Sequence, residues 1–85
     1  MTGSRPAGRA LKTLEAMRAN PRDWRIEDLE RVAAACAINL RKPGGSHVYF
    51  THPAMAEGVS VPAHRPIKPV YVRAFVRLVD RVRQA

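Results

Sequence analysis

The sequence predicts an α+β domain with an α-β-β-β-α core: a three-stranded antiparallel sheet covered on one face by two helices, with an extra N-terminal helix. Three observations predict it. Apolar residues recur at three- and four-residue spacing over 26–36 and again over 72–82, the period of a helix with one buried face. Between these stretches lie three short runs that alternate or are rich in β-branched residues, separated by Pro43-Gly44-Gly45 and by a loop over 53–58; that is how strands joined by turns read. The chain has 85 residues, 46% of them hydrophobic, enough for one thin core and too many for a disordered polymer.

Residues 1–8 are small, polar and interrupted by Pro6, which predicts a disordered lead-in. Residues 9–23 form an accessory N-terminal helix and linker. Leu11, Leu14 and Met17 make a narrow stripe along Arg9–Ala19, and Asn20-Pro21 ends it, because proline disfavours a helical residue before it. Trp24, the only tryptophan, anchors the linker by covering part of the core. The main domain, 24–85, opens with a helix near Ile26. Ile26, Leu29, Val32, Ala33 and Cys36 share its inner face, and Glu27 and Asp28 stand in its first turn, where the helix dipole favours negative charge. No glycine closes it. Ala37 falls where a left-handed cap residue is expected, at a cost of roughly 1 kcal/mol relative to glycine.

Ile38 to Lys42 alternates as a half-buried strand does, and the glycine turn follows. From His47 to Thr51 the alternation returns. With Val48 and Phe50 inward, His47, Tyr49 and Thr51 face the other way. Val59-Ser60-Val61 is the third strand, ended by Pro62, and residues 63–69 are a rigid basic connector carrying His64, Arg65 and Lys68. Pro69 suits the first turn of a helix. That helix runs to about Arg83, with Val72, Phe75, Val76, Val79 and Val82 inside and Arg73, Arg77, Asp80, Arg81 and Gln84 outside.

Fifteen Lys and Arg against 7 acidic residues give a formal charge of +8. The excess favours a polyanionic partner: nucleic acid, an acidic protein or an anionic membrane surface. Lys12, Lys42 and Lys68 are the only lysines, so most cations are guanidinium forks suited to bidentate phosphate contacts. One cysteine, Cys36, excludes an internal disulfide and fits a reducing cytoplasm. The start lacks an apolar signal core, and no run approaches the roughly 18 apolar residues of a membrane span. A cytoplasmic protein that does not enter the membrane is expected.

The chemistry concentrates at Gly44-Gly45-Ser46-His47, where an imidazole opens a strand beside a flexible basic loop. RNA can be cleaved by its own 2′-OH once a base removes that proton and an acid protonates the leaving oxygen. An imidazole, titrating ordinarily at about pH 6.5, can do either at neutral pH. His47 is therefore the candidate catalytic residue; the other reading of these residues is a surface histidine at the start of a strand, with no task. Arg41 and Lys42 enter the turn as phosphate contacts, followed by Arg65 and Lys68; Gly45 and Ser46 can meet a phosphate at the turn itself. Tyr49, on the His47 face, can stack on a base or cover a neighbouring helix. His64 and Lys68 can steady the phosphorane. His52, before Pro53, caps the strand end, and Arg73, Arg77 and Arg81 make a solvated helical face. Neither a metal nor a cofactor is expected. Cys36 has no His or Cys at ligand spacing, and the chain lacks a glycine-rich phosphate loop and an acidic pair for magnesium.

An α-β-β-β-α core at +8 already suggests a double-stranded-RNA-binding-domain-like module, a type that reads phosphate and 2′-OH positions more than sequence. The order of marks narrows this. An amphipathic first helix is followed by a basic strand, by Gly45-Ser46-His47, by Phe50 and His52-Pro53, by Val61-Pro62, by a basic loop and by a final amphipathic helix. From about Trp24 to Arg83 this set resembles the HicA-type toxins, the small RNA-cleaving partners of HicB antitoxins. The resemblance implies the dsRBD-like fold, a catalytic histidine at His47, messenger RNA as substrate and a HicB-like antitoxin as inhibitor. The chain departs from the pattern in two places: Val48 stands where many members repeat histidine, and the segment before residue 24 is an addition. The expected function is thus the toxin of a type II toxin–antitoxin system, an endoribonuclease (mRNA interferase) using His47 as general base or acid. A non-catalytic RNA-binding module is the second reading, and a basic adaptor for an acidic protein or membrane the third.

Overall fold

Asp28 sets the start of the first core helix. Its carboxylate accepts the Arg25 amide at 3.0 Å, and its own amide donates to the Arg25 carbonyl at 3.0 Å. Two of the groups a helix N-terminus leaves unpaired are satisfied in this way. Burial pushes the Asp28 carboxyl up, but the Arg25 amide and the Arg31 guanidinium outweigh it and hold it below the usual range. In the computed structural model, which describes residues 8–85, this helix is the second of six elements. They are α1 (Gly8–Ala19), α2 (Ile26–Ala35), β1 (Asn39–Arg41), β2 (His47–Thr51), β3 (Val59–Pro62) and α3 (Pro69–Gln84). Apart from Gly8, which already belongs to α1, the expected lead-in over 1–8 lies outside the described residues.

The far end of α2 closes without glycine. The Ile38 amide bonds the Ala33 carbonyl at 2.9 Å and the Ala37 amide approaches the Ala34 carbonyl at 3.4 Å. This is the Schellman arrangement, and it puts Ala37 in the left-handed region at φ 58°. A Cβ is disfavoured there, so Ala37→Gly is expected to stabilise the protein by about 0.5–1 kcal/mol, read as a higher urea midpoint at unchanged slope. An unchanged or lower midpoint would contradict the cap.

The sheet is antiparallel, in the order β1-β2-β3. Asn39, Leu40 and Arg41 pair with Thr51, Phe50 and Tyr49; His47, Val48, Tyr49 and Phe50 pair with Pro62, Val61, Ser60 and Val59. Val48, Phe50 and Val61 are buried, while His47, Tyr49 and Ser60 are exposed, so the alternation of β2 holds as expected. Pro62 does not end β3 but belongs to it. An edge strand tolerates proline because one side needs no ladder donor. β1 is shorter than the alternation suggests, and all three of its residues are exposed. Ile38 is buried as the anchor of the α2 cap, and Leu40 stays 36% exposed at the edge of the helical cover. Between β2 and β3, Gly58 passes so close that a Cβ would collide with the Phe50 carbonyl oxygen and Thr51 Cγ2.

One apolar cluster fills the interior, with Phe50 and Phe75 edge to face at its centre, 4.9 Å apart at 60°. α2 lies against β1 and α3 against β3, and both helices touch each other and α1. The N-terminal helix is more than an accessory: Leu14 and Met17 are 0% and 1% exposed and belong to the same cluster as Phe50. Because α3 is flanked by α1 and by the sheet, its apolar face is wider than the predicted stripe and includes Leu78. Among the described residues, no helix is long and apolar enough to cross a membrane.

A charge-assisted fork ties α1 to α3. Arg18 donates from Nη1 to Asp80 Oδ2 at 2.7 Å and from Nη2 to Oδ1 at 2.9 Å, and also reaches Glu15. The bond from Arg18 holds the Asp80 carboxyl below the usual range, against partial burial that pushes it up. A carboxylate whose folded pKa is depressed contributes stability above its unfolded pKa, about 3.9, and loses it as pH falls through the folded value. Between about pH 6 and about pH 3 the urea midpoint is therefore expected to fall further for the wild type than for Asp80→Asn. Equal falls would deny the fork any role.

Candidate nucleic-acid interface

β2 presents its outward residues on the sheet face that carries no helix. Val48 and Phe50 are driven into the core, so period two leaves His47 and Tyr49 in solvent. The register places Arg41 directly across from Tyr49 on β1 and Ser60 across from it on β3. A cation, an aromatic ring and a hydroxyl thus form one row across the open face, with His47 in the next outward position along β2.

At the turn, Gly45 takes φ 83°, a conformation that other residues rarely adopt. Ser46 and His47 follow, with Ser46 Oγ 3.3 Å from His47 Nδ1. The contact is long for a hydrogen bond, but it biases what the outer nitrogen can do. If Nδ1 donates to the hydroxyl, Nε2 is free to act as a base; if the hydroxyl donates to Nδ1, Nε2 carries the proton of the neutral ring. Either role leaves Nε2 as the working atom.

The basic connector reaches this turn through the backbone. The Ala63 amide donates to the Ser46 carbonyl at 2.9 Å, extending the pairing of His47 with Pro62. His64, Arg65 and Lys68 then turn into a cleft of about 610 Å3, which Pro62 also lines. Most of the expected site is brought together in this way: His47, Tyr49 and Arg41 on the open face, Gly45 and Ser46 at the turn, and His64, Arg65 and Lys68 in the adjoining cleft. Lys42 departs from its expected role. Its Nζ lies 3.1 Å from Glu30 Oε2 on α2, on the helical side of the sheet rather than beside the imidazole. His52 caps as expected, its Nδ1 accepting the Ala54 amide at 3.0 Å. Cys36 is half-buried; burial pushes its thiol up, against the pull of Arg83, which keeps it protonated.

Three cleft residues were not anticipated: Arg22, Asp23 and Tyr71. Their contribution depends on an isolated bridge between Trp24 and Ile67, in which the Ile67 amide donates to the Trp24 carbonyl at 2.8 Å. No local periodicity encodes that pairing. The nearest sequence signal is the tryptophan itself, whose indole donates to the Asn20 carbonyl at 2.7 Å and holds the linker down. Comparison of the chain with known protein families, with curated proteins and with solved structures finds no match.

Proposed function

We propose that this chain is a dsRBD-like, HicA-type endoribonuclease, the toxin of a toxin–antitoxin pair, acting on messenger RNA and inhibited by a HicB-like partner. One observation carries the reading: an exposed imidazole and an exposed tyrosine side by side on a helix-free sheet face, with a basic connector hydrogen-bonded to the same turn. The ordered sequence marks from Trp24 to Arg83 support it independently. In this mechanism the RNA backbone crosses the open face, held by Arg41 and by the cations of the connector. Tyr49 stacks on a base, and Nε2 of His47 takes the 2′-OH proton or supplies one to the leaving 5′ oxygen. The 2′ oxygen attacks phosphorus as the P–O5′ bond breaks, leaving a 2′,3′-cyclic phosphate and a 5′-OH. His47 performs one of the two proton transfers, and solvent water performs the other.

Incubating end-labelled single-stranded RNA with the purified chain tests the proposal. Fragments ending in the cyclic phosphate, or in the 3′-phosphate to which it opens, are expected, and RNA carrying a 2′-deoxy sugar at the cleaved position should survive. Intact RNA at every protein concentration would reject the nuclease. A non-catalytic RNA-binding module would remain, its affinity falling steeply between about 50 and 200 mM salt.

A further inference from the structure

Beside the open sheet face lies the cleft that the linker before α2 helps to build. Arg22 and Asp23 form one wall, Arg65 and Lys68 belong to the connector opposite, and Tyr71 stands in the first turn of α3. The linker wall is held in place. Asn20 Oδ1 accepts the Arg22 amide at 3.1 Å, and the Trp24–Ile67 bridge binds the wall to the connector. Asp23 adopts φ 67° at the bend. A volume of about 610 Å3 lies within the range of small-ligand sites, roughly 300–1,000 Å3.

Only three of the cations among the described residues are paired with a carboxylate, and those of this cleft, like the rest of the surface, are not. Arg18, Arg31 and Lys42 each have a carboxylate partner. Among the described residues no carboxylate pairs with Arg22, Arg65 or Lys68. Three unpaired cations around an aromatic ring suit a phosphate joined to a flat heterocycle. The location favours RNA over a protein segment. Pro62 lines the cleft and is the cross-strand partner of His47, so the imidazole's strand and the cleft's edge are about 5 Å apart.

We propose that this cleft is a nucleotide subsite for single-stranded RNA, receiving the nucleotide next to the phosphate that faces His47. The phosphate of that nucleotide sits on Arg22, Arg65 and Lys68, and its base stacks on Tyr71. Asp23, an acceptor only, favours a base that carries an exocyclic amino group over uracil. The linker thereby selects which nucleotide is held beside the reacting one. This proposal rests on RNA being the ligand and does not require that the RNA be cut.

The test uses the full chain carrying His47→Ala, so that RNA stays whole, and fluorescence anisotropy with labelled oligocytidylate and oligouridylate. Adding Arg22→Ala is expected to weaken oligocytidylate binding about tenfold and to lower the salt slope by about 0.7. Arg22 is exposed, so circular dichroism should show an unchanged fold. Oligocytidylate should bind several-fold more tightly than oligouridylate, and Asp23→Asn should erase the difference. Affinity within about twofold of the parent in Arg22→Ala, or no base preference for Asp23→Asn to erase, would overturn the subsite. So would amide NMR shifts at 22–23 and 65–71 on adding an acidic peptide but none on adding RNA. Cleavage by the His47 chain is scored separately. A chain that cuts RNA but ignores Arg22→Ala keeps the nuclease and loses the subsite. One that never cuts yet loses affinity keeps the subsite and loses the nuclease.

Discussion

Replacing His47 with alanine is expected to slow RNA cleavage by about 10²–10⁴-fold, the contribution of one positioned general acid or base. The protein should remain folded. His47 is exposed, and its only side-chain hydrogen-bond contact among the described residues is the long one to Ser46 Oγ, so the change in stability should stay within about 0.5 kcal/mol. Single-turnover cleavage of labelled RNA checks the first statement and a urea melt the second. The pairing of results matters. Lost cleavage with an intact fold and intact RNA binding assigns His47 to the chemistry. Undiminished cleavage would remove it from the mechanism. Ser46→Ala should produce a smaller loss than His47→Ala, since Nε2 remains in place.

The largest effect on stability is expected at Phe50. It is fully buried, packs edge-on against Phe75 and lies across from Leu40 and Val59 in the register. Phe50→Ala should cost about 3–5 kcal/mol through lost transfer energy and the cavity left behind. A chain of 85 residues has a total stability of roughly 4–13 kcal/mol, so the variant should be largely or wholly unfolded in modest urea. Phe50→Leu, which leaves a smaller cavity but still loses the aromatic contact, should cost less, about 1–2 kcal/mol. The consequence reaches the site, because the inward pull on Val48 and Phe50 is what turns His47 and Tyr49 outward. Phe50→Ala should therefore also lose RNA cleavage, and Phe50→Leu should keep it. Denaturation followed by circular dichroism checks both; a loss below about 1 kcal/mol in Phe50→Ala would mean that the sheet is not held by this contact.

Local pattern was enough for several features. The 3.6-residue period located α2 and α3 almost to the residue, and strict alternation decided which way His47 and Tyr49 point. The absence of glycine after α2 predicted a strained cap, and Ala37 at φ 58° is that cap. Each of these rests on spacing within a single element, which the backbone geometry reads directly.

Other features depended on parts of the chain that are distant in sequence. α1 looked peripheral because Leu11, Leu14 and Met17 make a narrow stripe, yet Leu14 and Met17 are sealed by α2 and α3. Leu78 is buried because α3 is covered on more than one side, a fact of packing that no single helix records. Lys42 looked like a turn cation and is instead drawn to Glu30 across the edge of the sheet. The cleft required the bridge from Trp24 to Ile67 and the bond from Ala63 to Ser46. By itself, the sequence determined the elements, the inward residues of β2 and the imidazole at its head, because those follow from short-range period and turn chemistry. Only the tertiary structure decided what stands beside that imidazole, because the pairs Trp24–Ile67 and Ala63–Ser46 join residues far apart in the chain, which no local pattern encodes.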